Sequence, residues 1–216
     1  MSKEDTKNIP REKYLLAGAH IGSTFKNKSM ERFIYKTRSD GLAVLNIGEL
    51  DKRLVIAANM MNNAKRVLVV CRKEIGQSSA EKFCELTGYR CFAGRFMPGT
   101  MTNPSYKNFY EPDLIVVIDP ITDRQAIREA VKMRIPIISI CDTVHNTSYI
   151  DLILPCNNKG KKSISLVLWG LAKLIKEMKG EEVAFSLEDF GWEKTDKEKL
   201  QLPQLPDLQI YSEPSK

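Results

Sequence analysis

Residues 114–141 read LIVVIDPITDRQAIREAVKMRIPIISIC. An apolar run, LIVVID, fills 114–119, and a second, PIISIC, fills 136–141. Between them Ile127, Ala130 and Val131 share one face of a helix. Continuously apolar strands joined by an amphipathic helix imply a parallel sheet covered on both faces, because each strand must hide two surfaces from water. Thr122 and Gln125 have the spacing of a capping box and predict where that helix starts. Pro136 opens the second strand, where a missing N–H is tolerated.

The alternation continues outward. Residues 67–71 (VLVVC) form a strand and 78–87 a helix, with Ser78 and Glu81 as its capping box and Gly88 at its exit. Short strands follow at 90–93 and 152–154. Residues 163–179 form an amphipathic helix whose apolar side carries Ile164, Val167, Leu168, Leu171, Leu174, Ile175 and Met178. Five strands alternating with helices predict a three-layer α/β/α domain of doubly wound type, with a mostly parallel sheet. Ahead of it, 12–17 reads as a short helix ending at Gly18. Residues 33–46 read as a β-hairpin turning at Ser39-Asp40-Gly41, and 49–63 as a helix with Leu50, Leu54, Val55, Ala58 and Met61 in a stripe. The expected organisation is an N-terminal tail (1–9), one α/β domain (10–180) and an acidic C-terminal tail (181–216). The stretch 194–216, rich in Lys, Glu, Gln and Pro, is expected to stay extended until it meets a partner.

Composition narrows the function. The chain has 216 residues, 43% of them hydrophobic, enough for a packed core. No apolar run approaches the roughly 20 residues that span a bilayer, and residues 1–11 are too polar for a signal peptide. The five cysteines show no CxxC pair and read as buried, reduced thiols of a cytoplasmic protein. With only His20 and His145 beside them, no zinc site or other metal site is expected. The chain carries 33 Lys+Arg and 27 Asp+Glu. Residues 181–216 hold nine acidic and four basic residues, so 1–180 are left with 29 basic and 18 acidic, a net +11. A basic domain points to a polyanionic partner.

Enzyme chemistry is poorly supported. Asp119 and Asp142 follow strands, where catalytic carboxylates often lie, yet Asp in that position routinely caps a turn. No GxGxxG follows a strand. The segment 155–163 (PCNNKGKKS) has Pro155 and Lys162 where a Walker loop needs Gly and Ser or Thr. His20, in the Gly18-Ala19-His20-Ile21-Gly22 turn, reads as a structural hydrogen-bonder, and His145 as a solvated loop residue. No catalytic residue, cofactor or small-molecule substrate is expected; a nucleotide-utilising enzyme using Asp119 and Asp142 is the alternative.

Donors gather instead on three non-regular segments. The first, 23–38, carries Lys26, Lys28, Arg32, Lys36 and Arg38 among Phe25, Phe33 and Tyr35. The second, 94–108, carries Arg95, Thr102 and Asn103. The third, 157–163, carries Asn157, Asn158, Lys159, Lys161 and Lys162 just before a helix, where backbone N–H groups and lysines can meet one phosphate. Arg72 and Lys73 follow the first sheet strand. Such groups fit a folded RNA gripped by its phosphates.

Several stretches resemble a known family. They are 14–22 (YLLAGAHIG), 33–45 (FIYKTRSDGLAVL), 94–104 (GRFMPGTMTNP), 111–113 with Asp119-Pro120, Cys141-Asp142-Thr143, and 153–163 (ILPCNNKGKKS), continued by Trp169 and Leu171-Ala172. In this order, over about 10–180, the chain resembles the universal second protein family of the small ribosomal subunit in its archaeal and eukaryotic form, related to the laminin-receptor precursor. The resemblance implies a flavodoxin-like domain without catalytic activity, bound to small-subunit RNA and neighbouring ribosomal proteins, with no membrane contact. It implies that the hairpin region, the 94–104 loop and the 157–163 turn belong to contact segments. The long helical hairpin of the bacterial form has no room between Asp51 and Arg66, and His145 departs from the family's usual loop.

Overall fold

The computed structural model describes residues 9–192. Helix α1 (Arg11–Leu16) is capped by Ala17 and followed by Gly18, whose φ of 67° suits glycine. A 3-10 turn (Lys28–Phe33) leads into the antiparallel hairpin β1 (Ile34–Thr37) and β2 (Ala43–Leu45). Then follow α2 (Ile47–Asn63), β3 (Val67–Cys71), α3 (Glu74–Thr87), β4 (Arg90–Ala93), β5 (Leu114–Val117), α4 (Arg124–Met133), β6 (Ile137–Cys141), β7 (Leu152–Pro155) and α5 (Lys161–Lys179).

Strands β3 to β7 form one parallel sheet in the order β4-β3-β5-β6-β7. This is the flavodoxin-like 2-1-3-4-5 order, and the architecture is the three-layer α/β/α fold expected from the sequence. Successive strand residues point to opposite faces. Val69, Val116, Ile138 and Leu154 pack with Leu54, Phe83, Leu168 and Leu171 of α2, α3 and α5 on one face. Leu68, Val70, Ile115, Val117 and Ile137 pack with Ala126, Ile127 and Ala130 of α4 on the other. On that second face the β4-to-β5 crossover, 94–113, is irregular where a helix is usual, and it buries Phe96 and Met101. The hairpin covers the rest of the face: Met30, Phe33 and Leu45 meet Cys141 and Ile153. Each such apolar side chain contributes about 1.5–3 kcal/mol when fully buried.

Several local expectations are corrected. Helix α3 starts at Glu74, so Ser78 lies inside it and the Ser78–Glu81 capping box does not form. Gly76 permits the early start: a Cβ there would sit 3.0 Å from Cys71 Sγ. Helix α4 starts at Arg124, because the Thr122 hydroxyl donates to Asp119 and the Gln125 amide to Glu129. Val131 and Met178 lie largely outside the core.

The chain beyond Gly180 folds back. Phe190 is fully buried and Trp192 nearly so, and the Phe190 carbonyl lies 2.9 Å from the hydroxyls of both Ser79 on α3 and Ser165 on α5. The folded unit thus runs past residue 180, while the expected extended stretch 194–216 and residues 1–8 fall outside the described residues. All five cysteines are free thiols, and burial pushes Cys71, Cys141 and Cys156 up to about 12. Among the described residues, no helix is long and apolar enough to cross a membrane.

Candidate nucleic-acid interface

The loops that follow β3, β4, β5, β6 and β7 all emerge at the carboxyl end of the sheet, the end where doubly wound domains hold their ligands. Here protein side chains occupy that crevice. Asp119, only 4% exposed, uses both carboxylate oxygens. Oδ2 accepts from Lys73 Nζ at 2.8 Å and from the Thr122 hydroxyl at 3.0 Å. Oδ1 accepts from the Ile121 N–H at 3.0 Å and lies 3.2 Å from His145 Nε2. His145 Nδ1 accepts the Asp142 N–H at 2.8 Å, so the ring proton sits on Nε2 and points at Asp119. Burial alone would raise the Asp119 pKa, but the bonds from His145 and Lys73 hold it well below the usual carboxylate range.

His145 was expected in solvent and is buried instead; it bridges the loops after β5 and β6. Its partner stands 26 residues away in sequence, so local polarity gave no warning. Asp142 caps its own turn, its Oδ1 accepting the Thr143 N–H at 2.7 Å, and its Oδ2 lies 3.4 Å from Lys159 Nζ. Asp123 accepts the Arg72 N–H at 3.1 Å, and its second oxygen is buried with no partner. Burial, with the nearby charge of Asp119, raises Asp123 to about 7. Among the described residues, no three His, Cys, Asp or Glu side chains are grouped to hold a metal ion.

The fold bonds the third donor segment to the turn after α1 and the first to the loop after β6. The Asn157 side-chain amide donates to the Gly18 carbonyl at 3.1 Å and its N–H to Ala19 at 3.0 Å. The Asn27 N–H bonds the Thr143 carbonyl at 2.8 Å. Lys26 donates to Thr37, Arg38 pairs with Asp40 at 3.3 Å, and Arg32 lies over the Phe33 ring at 4.6 Å; all three remain exposed, as do Lys28 and Lys36. In the third segment Lys159 and Lys161 are exposed, and Lys162, half-buried, lies over Trp192 at 5.2 Å. The second segment stands apart on the α4 face. There Arg95, Thr102 and Asn103 are exposed on a loop whose backbone is gripped by the buried Glu129. That carboxylate accepts the N–H groups of Gly99 at 2.8 Å and Met101 at 3.1 Å, and the Thr102 hydroxyl at 3.3 Å.

Two of the expected donors face inward. Lys73 spends its ammonium on Asp119 and on the Asn158 carbonyl at 3.0 Å. The Asn158 side chain is buried, its amide 3.5 Å from the Ile118 carbonyl. Arg72 is exposed beside them.

Residues 14–110 and 106–178 match the family model described as Ribosomal protein S2. The chain belongs to the ribosomal protein S2 family. Among its relatives is small ribosomal subunit protein uS2 of Staphylothermus marinus, 47% identical over 174 residues, which cover 80% of this chain and 79% of the relative. The protein of the same description from Methanococcus maripaludis is 44% identical over 182 residues, covering 82% of each. That from Haloquadratum walsbyi is 44% identical over 184 residues, 84% of this chain and 66% of the relative. The S2 family assignment agrees with the motifs at 94–104 and 153–163, which lie in the β4–β5 crossover and at the β7–α5 turn.

Proposed function

We propose that this chain is a non-catalytic structural constituent of the small ribosomal subunit in the cytoplasm, bound there to ribosomal RNA and to neighbouring ribosomal proteins. The observation that carries the reading is the family membership, with relatives described as small ribosomal subunit proteins at 44–47% identity over most of the chain. The crevice supports it physically. A nucleotide enzyme would keep Asp119 available to metal or ribose, whereas here Lys73, Thr122, Ile121 and His145 use it up. The exposed cations suit phosphates, with Lys26, Lys28, Arg32, Lys36, Arg38, Arg72, Arg95, Lys159 and Lys161 as the charged contacts and the half-buried Lys162 beside them. Thr102, Asn103 and Asn157 add neutral donors. Lys73 and Asn158 act indirectly, by fixing the turn that presents Lys159. Native lysate run on a sucrose gradient at low and high salt tests the reading. Co-sedimentation with small subunits, released as salt rises, is expected; a chain that stays at the top of the gradient at low salt overturns it.

A further inference from the structure

A cavity of about 670 Å3 opens between α1, the β1–β2 hairpin and the start of α2. Its volume lies in the range of sites that take small organic groups, roughly 300–1,000 Å3. The Tyr14 hydroxyl, bonded to Asp51 at 3.0 Å, lines it deep in the fold, and Leu15 and Ile47 supply apolar wall. His20 also lines it, with its Nδ1 buried and lacking any hydrogen-bond partner. Burial lowers the His20 pKa, against a backbone hydrogen bond at Tyr14 that raises it, which favours the neutral ring. Tyr35, 68% exposed, stands at the opening beside Arg11, Lys36 and Arg38.

An apolar hole with a buried unpartnered nitrogen, an exposed ring at its mouth and three cations around it has the chemistry of a nucleotide receptor. Bases unstacked from single-stranded RNA lie on aromatic rings and hydrogen-bond through their edges, while cations follow the phosphates. A peptide side chain could fill the hole but gives the three cations no counter-charge. We propose that this cavity receives one unstacked base of single-stranded RNA, stacked at Tyr35 and hydrogen-bonded to His20, with the flanking phosphates on Arg11, Lys36 and Arg38. The proposal rests on the RNA-binding reading above and adds a base-holding site to a surface otherwise built for phosphates. Arg38 exchanges its exposed partner Asp40 for a phosphate when RNA arrives.

The test uses the full chain and two fluorescently labelled decamers of equal charge, one an ordinary single-stranded RNA and one with every base removed. Anisotropy titrations give the affinity ratio between them. The wild-type chain is expected to prefer the base-bearing decamer by about 10-fold, a typical stacking gain. That preference is expected to vanish in Tyr35→Ala and in Leu15→Glu, both at exposed positions, while the salt dependence of binding persists. A preference that survives Leu15→Glu overturns the cavity, because the base is then stacking on Tyr35 from outside. Equal, salt-sensitive binding of both decamers by the wild type overturns the cavity and leaves the RNA reading standing. Binding of neither decamer overturns both.

Discussion

The Glu129 carboxylate on α4 accepts the backbone N–H of Gly99 at 2.8 Å, across 30 residues of sequence. It also takes the Met101 N–H and the Gln125 amide, so one buried acid holds the loop that presents Arg95, Thr102 and Asn103. Glu129→Ala leaves two backbone donors without partners and is expected to cost roughly 2–4 kcal/mol. Urea unfolding checks the loss. Amide exchange at Gly99 and Met101 should accelerate more than exchange in β5; equal acceleration would mean that Glu129 does not hold this loop.

Asp119 ties three loops through Lys73, Thr122 and His145. Its removal in Asp119→Ala strands a partly buried ammonium and a buried imidazole, for an expected loss of about 3–5 kcal/mol. The double variant with Lys73→Met is expected to lose less than the sum of the two single losses. Additive losses in chemical denaturation would show that Lys73 and Asp119 do not act as a pair.

Asp123 makes stability depend on pH in the opposite sense from Asp119. Its pKa is raised to about 7, so the folded state holds a proton that the unfolded chain gives up near pH 4. Its contribution is therefore full below about pH 4 and is lost as pH rises towards 7, by on the order of 2–4 kcal/mol. Asp123→Asn removes this loss, so stability between pH 4 and 7 should fall less steeply in the variant. Parallel profiles for variant and wild type in thermal melts would refute the assignment. Asp119, held low, adds stability above about pH 4 that disappears only in strong acid.

Phe190 seals the groove between α3 and α5. Phe190→Ala is expected to destabilise the domain by about 3–5 kcal/mol, the usual cost of emptying a buried aromatic site. A change below about 0.5 kcal/mol in the unfolding midpoint, the scale of surface substitutions, would place the segment on the surface.

Replacing Lys159, Lys161 and Lys162 with Ala is expected to lower incorporation into small subunits and to flatten the salt dependence by roughly 0.7 per lost phosphate contact. Far-ultraviolet circular dichroism should stay unchanged. Normal incorporation of the triple variant would remove the β7–α5 turn from the proposed contacts.

Much of the fold is legible because its central strands are apolar on both faces, as in 67–71, which is readable to the residue. Helix starts are harder. The Ser78–Glu81 spacing sets the expected start of α3 too late, and Gly76 lets the helix pass close to Cys71. Thr122 and Gln125 have capping-box spacing, but Asp119 and Glu129 compete for their side chains and win. The candidate surface is legible only as a set of charged loops. Which cations face outward depends on partners far along the chain, so Lys73 turns inward to Asp119, 46 residues away. Phe190 and Trp192 are aromatic residues in a weakly patterned, acidic stretch, and only the groove between α3 and α5 gives them a place.

The bonds from Asn157 to Gly18 and Ala19 also set a timetable. The turn after α1 is made ahead of the residue that secures it, which comes 138 positions after Ala19. At synthesis rates of about 5–20 residues per second, that turn waits roughly 7 to 28 seconds for its partner. Until then the Ala19 carbonyl lacks its Asn157 partner, the Gly18 carbonyl has only the Ile21 N–H at 3.1 Å, and α1 has no α5 to lie against. The turn is therefore translated well before the residue that fixes it in place.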